Sequence, residues 1–222
     1  MTSSWFPLWL SLRVAVLATL VSVPCGLGIA WLLANREFRG KELVDAVVAL
    51  PLLLPPTVLG YYLLVVLGAS SPLGYLYEAL FGRPLLFTWQ AAVVASALYA
   101  TPLLTRSARA AFETAGPAYE KAARSLGASE WRVFWRVTLP LSRRAIGAAS
   151  LIAFARALGE FGVTLLIAGN LPGKTQTAVV GIYDAIQRGE TRVARIFVAA
   201  LSAVALTIAY TANRLGRRAV AE

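Results

Sequence analysis

The chain contains no histidine, one cysteine and one methionine among its 222 residues. With Cys25 as its only thiol, it cannot form an internal disulfide or a metal site built from cysteine and histidine. Acidic residues form no cluster, so acid-base, metal-assisted and nucleophilic catalysis also lack their usual side chains. We therefore expect no catalytic residue, metal or cofactor in this chain, and we expect Cys25 to be a small buried apolar residue.

Charged residues are scarce as well. They make up 14% of the chain, whereas 58% of it is hydrophobic. This balance is far from that of a soluble globular domain and favours the lipid bilayer as the solvent. We predict a single all-α integral membrane domain over residues 1–222.

The charge that is present is unbalanced, with 21 basic and 11 acidic residues and a net charge of +10. Such an excess can indicate nucleic-acid binding, but here the basic residues alternate with long uncharged stretches instead of covering one face. We interpret them as markers of membrane topology. The expected partner is therefore membrane lipid and not nucleic acid.

Long apolar runs divide the chain into membrane-length segments. One crossing needs about 20 apolar residues. On this basis the sequence predicts five transmembrane spans: Leu8–Ala34, Val44–Ala69, Phe87–Thr105, Ala145–Ala168 and Ile196–Asn213.

Basic residues predict the orientation of these spans. They cluster after the first span, between the third and fourth, and after the fifth, so the three clusters lie on the same side of the membrane. The positive-inside rule places that side in the cytoplasm. We therefore predict an outside N-terminus and a cytoplasmic C-terminus. The opposite side keeps a smaller set: Arg83, Lys174, Arg188, Arg192 and Arg195.

The second span carries three prolines, Pro51, Pro55 and Pro56, which remove backbone donors part-way across the bilayer. We expect this span to kink or break there. Freed carbonyl groups need cover from protein or from a water-filled cavity, so Pro55, Pro56 and Thr57 are candidate pathway residues. A proline kink used only for packing explains the same pattern, and the sequence leaves both alternatives open.

A charged segment, Pro117–Pro140, separates the third span from the fourth. Pro117 suits the first turn of a helix, and Gly127 suits the left-handed residue that ends one. Ser129 can cap a second helix, and Pro140 is expected to stop it before the next apolar run. The pattern predicts two short cytoplasmic helices joined by a turn. We call this segment the docking loop.

Two opposite charges lie four residues apart within the fourth span, at Arg156 and Glu160. On one helical face they can form an ion pair, which the cost of charge in a membrane interior makes nearly obligatory. One interpretation is that Arg156 lines or gates an anion route while Glu160 holds it in place. The alternative is an ion pair that only locks helices together.

The segment Gly169–Thr177 includes Gly-Lys-Thr and superficially suggests a nucleotide-binding loop. The spacing is wrong for such a loop, because Ala168 stands where a glycine is required, and the segment follows an apolar helix instead of a strand. We treat it as an outer loop with candidate residues Asn170, Lys174, Thr175 and Gln176. A short helix at the membrane face is predicted over Thr177–Gln187.

The docking loop resembles the EAA loop of ABC-importer permeases, whose two short cytoplasmic helices insert into a cleft on an ATPase subunit. Lys121 replaces the first alanine of the Glu-Ala-Ala triplet, at a position that should face solvent. The residues assigned to ATPase coupling are those matching the family's spacing together with two aromatic residues of the second helix: Glu120, Ala122, Ala123, Gly127, Leu139, Pro140, Trp131 and Phe134.

Together, the docking loop, Phe154–Gly162 and Gly169–Thr177 resemble the membrane subunit of a molybdate (or tungstate) ABC importer. Sulfate and thiosulfate permeases share the Arg-Ala-Leu-Gly-Glu-Phe-Gly element. Their chains are generally longer with an additional span, so the short length here favours molybdate.

The resemblance implies a type I ABC importer fold in a bacterial or archaeal plasma membrane. It also implies a homodimer of this chain, two cytoplasmic ATPase subunits that bind ATP and magnesium, and an extracytoplasmic binding protein that delivers the anion. A non-transporting membrane scaffold for an ATPase is the remaining alternative.

Overall fold

The computed structural model describes residues 5–114 and 116–220, with side chains as far as residue 216. These residues form α-helices and one π-helical turn, without a strand among them. The π-helical turn covers Phe134–Thr138. The α-helices are α1 (Phe6–Asn35), α2 (Lys41–Leu53), α3 (Pro56–Leu67), α4 (Pro72–Phe81), α5 (Trp89–Thr114), α6 (Pro117–Ser125), α7 (Glu130–Val133), α8 (Leu139–Leu158), α9 (Gly162–Ile167), α10 (Ala178–Gln187) and α11 (Thr191–Val220).

Helix α5 lies at the centre and packs against α1 on one side and α8 on another. Its inward positions are mostly small, and Ala95, Ser96 and Ala100 are fully or nearly fully buried. Small side chains let helix backbones approach closely. In a membrane the hydrophobic effect does not drive helices together, so close van der Waals packing of this kind stabilises their association. The helix runs on to Thr114, beyond the predicted end at Thr105, and Pro102 lies inside it without breaking it.

By length and composition, α1 and Thr191–Gly216 of α11 are each apolar enough to cross a membrane. A third crossing is reached, within the described residues, if the bent pair α2 and α3 counts as one span. Helices α5 and α8 fall outside this set, because α8 carries Arg143, Arg144 and Arg156 and α5 contains several polar residues. Each of the five predicted spans contains helix, but the second and the fourth are each divided between two helices.

The second predicted span breaks, as its prolines indicate. Helix α2 ends at Leu53, α3 begins at Pro56, and the two axes differ by 111°. Leu54 and Pro55 adopt extended backbone angles. Because a residue before proline disfavours the helical region and proline donates no hydrogen bond, two successive prolines end one helix and start another.

The fourth predicted span, Ala145–Ala168, is not one continuous helix. Helix α8 ends at Leu158, and α9 begins at Gly162 after a short break. Gly162 packs closely against α3 directly after this break, because a Cβ atom on Gly162 would lie 2.6 Å from the Cβ atom of Pro56. Only glycine allows α9 to approach α3 this closely.

The docking loop departs from prediction at two capping positions. The Ser129 side chain makes no capping hydrogen bond at the start of α7, although its backbone is extended there. Pro140 does not stop the second short helix, which continues through the π-helical turn into α8. The N–H group of Leu139 donates to the Phe134 carbonyl five residues earlier, so the chain passes the missing donor of Pro140 without ending the helix.

Cys25 is exposed and not buried as predicted. It lies on a side of α1 that the other described helices of this chain leave uncovered. A residue's apolar character does not decide which side of a membrane helix is covered by other helices, because lipid accepts an apolar side chain equally well.

Candidate functional site

The two helix breaks meet at one place in the fold. Pro56 at the start of α3 contacts Gly162 at the start of α9. Pro55, Pro56 and Thr57 are exposed on the surface of the chain at this bend. Discontinuous helices with paired breaks are typical of binding and pathway regions in membrane transporters.

Glu160 lies in the second break, past the end of α8, so it does not share a helical face with Arg156 as predicted. The predicted ion pair nevertheless forms, with Arg156 Nη1 2.9 Å from Glu160 Oε2. The Val163 N–H donates to Glu160 Oε1 at 3.0 Å. The carboxylate therefore caps the first turn of α9 while it pairs with Arg156.

The two partners of this ion pair differ in exposure. The Glu160 side chain is 3% exposed, and that of Arg156 is 32% exposed. The buried carboxylate is held by two donors, whereas the guanidinium keeps a face open to the surface of the chain. An anion approaching this surface would meet the cation first.

Tyr99 of α5 completes this site, and sequence reasoning missed it. Its ring lies under the guanidinium, with Arg156 Cζ 4.3 Å from the ring centroid. Tyr99 is buried, and its hydroxyl has no hydrogen-bond partner within the described residues. The sequence offered one signal, a large aromatic residue in an alanine-rich span. A cation–π contact fixes the direction of Arg156.

A second buried carboxylate, Glu120, organises the docking loop from within. Its Oε1 accepts a hydrogen bond from Thr138 Oγ1 at 2.6 Å, and its Oε2 lies 3.1 Å from Arg124 Nη2. Arg124 Nε also donates to Glu130 Oε1 at 2.8 Å. The hydrogen bond to Glu130 raises the pKa of Arg124 above its already high ordinary value. Glu120 thus ties α6 to the π-helical turn, and Arg124 extends the network to α7.

Phe134 also faces inward. Its ring makes edge contacts with Trp31 of α1, at a centroid distance of 6.0 Å, and with Phe112 of α5, at 6.1 Å. These contacts fix the docking loop to the ends of two long helices. Glu120 and Phe134 therefore position the loop from its inner side instead of forming its outer surface.

The outer surface of the docking loop carries exposed apolar side chains. Leu126 is 88% exposed, Trp131 is 71% exposed and Tyr119 is 67% exposed. Sequence reasoning assigned Trp131 but missed Leu126 and Tyr119. Exposed large apolar residues around a charged turn are typical of protein interaction sites. Among the other assigned residues, Ala122, Gly127 and Pro140 are exposed, and Ala123 and Leu139 are half-buried.

Gly127 has the predicted left-handed conformation, with φ of +80°. No atom lies within 4 Å of the position its Cβ would occupy, so the requirement for glycine is one of backbone conformation. The residue ends α6 and directs the chain into α7.

The outer-loop residues form a compact hydrogen-bonded structure. Gln176 Nε2 donates to Asn170 Oδ1 at 2.8 Å and to Asp184 Oδ2 at 3.2 Å, and Thr175 Oγ1 accepts from the Leu171 N–H. Thr175 and Gln176 are buried. These hydrogen bonds fasten the loop to α10. Helix α10, Ala178–Gln187, confirms a short helix close to the predicted range Thr177–Gln187. Lys174 differs, because its side chain is exposed.

The part of the chain that the structure describes contains no group of three or more His, Cys, Asp or Glu residues that could hold a metal ion.

Comparison with known proteins gives a family and a set of relatives. Residues 22–220 match the family described as "Binding-protein-dependent transport system inner membrane component". The chain is 43% identical over 217 residues to the "Molybdenum transport system permease protein ModB" of Escherichia coli K12, covering 96% of this chain and 95% of that protein. It is 45% identical over 204 residues to the Haemophilus influenzae protein of the same name, covering 90% of this chain and 89% of that protein.

A more distant relative is the "Sulfate transport system permease protein CysT" of Escherichia coli K12. It is 33% identical over 210 residues, which cover 93% of this chain and 76% of that protein. Among solved structures, a chain of the MetNI methionine ABC transporter in an inward-facing conformation superposes with a TM-score of 0.74. It is 18% identical and covers 97% of this chain and 96% of that chain. This likeness shows that the all-helical fold is that of type I ABC importer permeases.

Proposed function

The chain belongs to the family of binding-protein-dependent transport system inner membrane components, and on this premise we propose that it is the permease subunit of an ATP-driven molybdate importer. Tungstate, which has the same charge and tetrahedral shape, is included in the proposal. The observation that carries the choice of anion is the identity of 43–45% to two molybdenum permeases over nearly the whole chain. The sulfate permease is further away, at 33%.

The test is uptake by the assembled transporter. The chain is reconstituted in liposomes with the ATPase and binding protein encoded beside it, and ATP-dependent entry of labelled molybdate is measured. We expect entry that requires all three components and that excess tungstate inhibits. A transporter that carries sulfate in preference to molybdate would identify the second candidate function, which the sulfate relative and the shared Arg-Ala-Leu-Gly-Glu-Phe-Gly element support.

We place the N-terminus outside and the C-terminus in the cytoplasm, with five crossings and with ATP bound and hydrolysed by separate subunits. The basic-residue asymmetry supports this orientation. Cysteines at Ser71 and Gln187 are expected to react with an impermeant thiol reagent in intact cells, in a background where Cys25 is replaced by serine. A cysteine at Ser129 should react only after permeabilisation, and its labelling from outside would contradict the orientation.

We assign the exposed face of the docking loop as the surface that binds the ATPase subunit. Leu126, Trp131 and Tyr119 support this assignment because they are apolar, exposed and adjacent to a rigid internal network. Replacing a buried apolar hot-spot residue at an interface costs about 2 kcal/mol or more. Leu126→Ala should therefore weaken ATPase association about thirtyfold or more without changing thermal stability. Lys121→Ala, at an exposed position of α6, is the matched control.

We assign Arg156 as a cation of the anion pathway, in a homodimer whose two copies enclose the route. Its open guanidinium face and its place beside two helix breaks support this role. The double variant Arg156→Gln with Glu160→Gln removes both charges together, and the new amide oxygen in place of the Glu160 carboxylate can still accept from the Val163 N–H. We expect this variant to stay folded and ATPase-bound yet to lose most uptake. Full uptake by a stable double variant would show that the ion pair serves only helix packing and not the anion pathway.

A further inference from the structure

A cavity of about 470 Å³ opens at the end of the fold opposite the docking loop. Its wall combines the start of α1, the segment before α5 and the outer loop. From Arg13 to Asn35, where α1 meets the docking loop, the helix rises about 33 Å at 1.5 Å per residue. The cavity is thus separated from the docking loop by about the thickness of a bilayer core.

The charge of this cavity is of one sign. Arg13, Arg83 and Lys174 line it, and its lining includes no acidic residue. None of the three forms an ion pair within the described residues. Three unpaired cations around one cavity repel one another, and the repulsion is relieved when an anion binds between them.

Neighbouring groups position this charge. The Arg13 guanidinium lies 3.9 Å from the Trp89 ring centroid, which holds it over the aromatic wall. The Gln90 side-chain oxygen is buried at the same wall and has no hydrogen-bond partner within the described residues. Rotation of this amide by half a turn places an NH₂ donor where an anion could accept from it.

We propose that this cavity is an outer binding site for a tetrahedral oxyanion dianion, a site whose choice of ligand rests on the transport function proposed above. Arg13, Arg83 and Lys174 supply the positive potential, and Gln90 supplies a directional hydrogen bond. The cavity is wide and its cations are exposed, so the anion stays partly hydrated and binds weakly. Weak binding suits a site from which the anion must leave again.

The binding test uses the full chain in nanodiscs of neutral phosphatidylcholine, titrated with tungstate and followed by calorimetry and by intrinsic tryptophan fluorescence, to which Trp9 and Trp89 of the cavity wall contribute. We expect saturable binding to the unmodified chain. The triple variant Arg13→Gln, Arg83→Gln and Lys174→Gln should not bind. Arg192→Gln, which removes an exposed cation outside the cavity, should bind as the unmodified chain does. Equal binding by the triple variant, or no binding by the unmodified chain, would overturn the proposal.

Single variants keep the test usable if the triple variant fails to fold. Arg83 and Lys174 are exposed, so Arg83→Gln and Lys174→Gln are expected to fold normally. Each should weaken tungstate binding about tenfold, as the loss of one close charge predicts. Unchanged affinity in both would contradict the site.

A lipid phosphate has the same chemistry as a soluble oxyanion, and a second arm separates them. Nanodiscs containing phosphatidylglycerol are compared with neutral ones. Equal tungstate affinity in both supports a site for the soluble anion. Loss of tungstate binding in the anionic discs would mean that a headgroup occupies the cavity, which would overturn the proposal.

Uptake by the assembled transporter separates this site from the proposed function. Molybdate uptake that is unchanged in the triple variant would remove the cavity from transport and leave the transport function standing. Tungstate binding in the absence of any uptake would contradict the proposed transport function and leave the cavity standing as an anion site.

Discussion

Two buried glutamates, Glu120 in the docking loop and Glu160 in the second helix break, each pair with an arginine four residues away, yet they do different things. The side chains of their arginines are similarly exposed, 35% for Arg124 and 32% for Arg156. Arg124, however, also pairs with a second carboxylate, Glu130, so two carboxylates of the docking loop surround its positive charge. Arg156 has one carboxylate and an aromatic ring as neighbours, and one face stays open.

This difference shows that spacing alone does not give an ion pair its role. In the docking loop Glu120 and Arg124 together join α6, α7 and the π-helical turn, and the pair stabilises a surface that presents apolar side chains. In the membrane region the carboxylate Glu160 is hidden and the pair presents a cation. The number of partners around the arginine separates a structural network from a candidate pathway group.

The largest expected effect is at Glu160. Glu160→Ala leaves Arg156 unpaired and removes the cap of α9, and breaking a buried pair in this way costs about 3–5 kcal/mol. We expect a large fall in the thermal stability of the purified chain. Glu160→Gln is the matched variant, since it keeps an acceptor for the Val163 N–H. Equal losses in both variants would assign the whole effect to the charge and none to the cap.

A smaller effect is expected at Thr138, the hydroxyl partner of Glu120. Thr138→Val keeps the shape but leaves a buried carboxylate oxygen without its donor, which costs about 1–3 kcal/mol. Stability should fall and ATPase association should weaken with it, while anion binding to the outer cavity is unchanged. Thr207→Val, at an exposed position of α11, serves as the control. Normal ATPase association in a destabilised Thr138→Val would contradict the link between the Glu120 network and the docking surface.

Gly127 tests the surface of the loop without disturbing the Glu120 network. A β-branched residue in the left-handed conformation costs about 1–2 kcal/mol. Because no neighbouring atom is in the way, the strain should be relieved by moving α7 and not by unfolding the membrane helices. Gly127→Val should therefore bind ATPase poorly in a pull-down while it remains in the membrane. Gly127→Asn, which tolerates the left-handed region better, should retain more binding, and full function in Gly127→Val would refute the docking assignment.

The smallest effect is expected for Tyr99→Phe. The Tyr99 hydroxyl has no hydrogen-bond partner among the described residues, so its removal should leave both stability and uptake nearly unchanged. Tyr99→Leu removes the ring from beneath Arg156, and the lost cation–π contact is worth about 0.5–2 kcal/mol. Uptake should fall in the leucine variant only. A strong loss in Tyr99→Phe would show that the hydroxyl acts on the anion directly.

The sequence was informative where local chemistry decides the structure. Successive prolines at 55 and 56 predicted the break between α2 and α3, since no neighbouring contact can restore a missing N–H group. Gly127 predicted the left-handed turn for the same kind of reason. The pairing of Arg156 with Glu160 was predicted from the cost of isolated charge in a membrane, and the pair forms even though the helix expected to present it ends first.

Predictions failed where contacts between distant parts of the chain determine the local structure. The break after Leu158 was not predicted, and Gly162 beyond it packs against Pro56, more than a hundred residues earlier in the chain. Pro140 was expected to end a helix, but an i→i+5 hydrogen bond to Phe134 carries the helix past it. Cys25 was expected to be buried, but the uncovered side of α1 is set by which helices pack on the other side.

By itself the sequence determined that this chain is a helical membrane protein, that it has a charged loop between apolar spans, and that its backbone breaks at the successive prolines Pro55 and Pro56. These properties follow from composition and from steric limits within a few residues. The tertiary structure decided that two helix breaks meet, that Tyr99 supports Arg156, and that Arg13, Arg83 and Lys174 share one cavity. Their proximity arises from helix packing, and packing between distant segments has no local signal in the sequence.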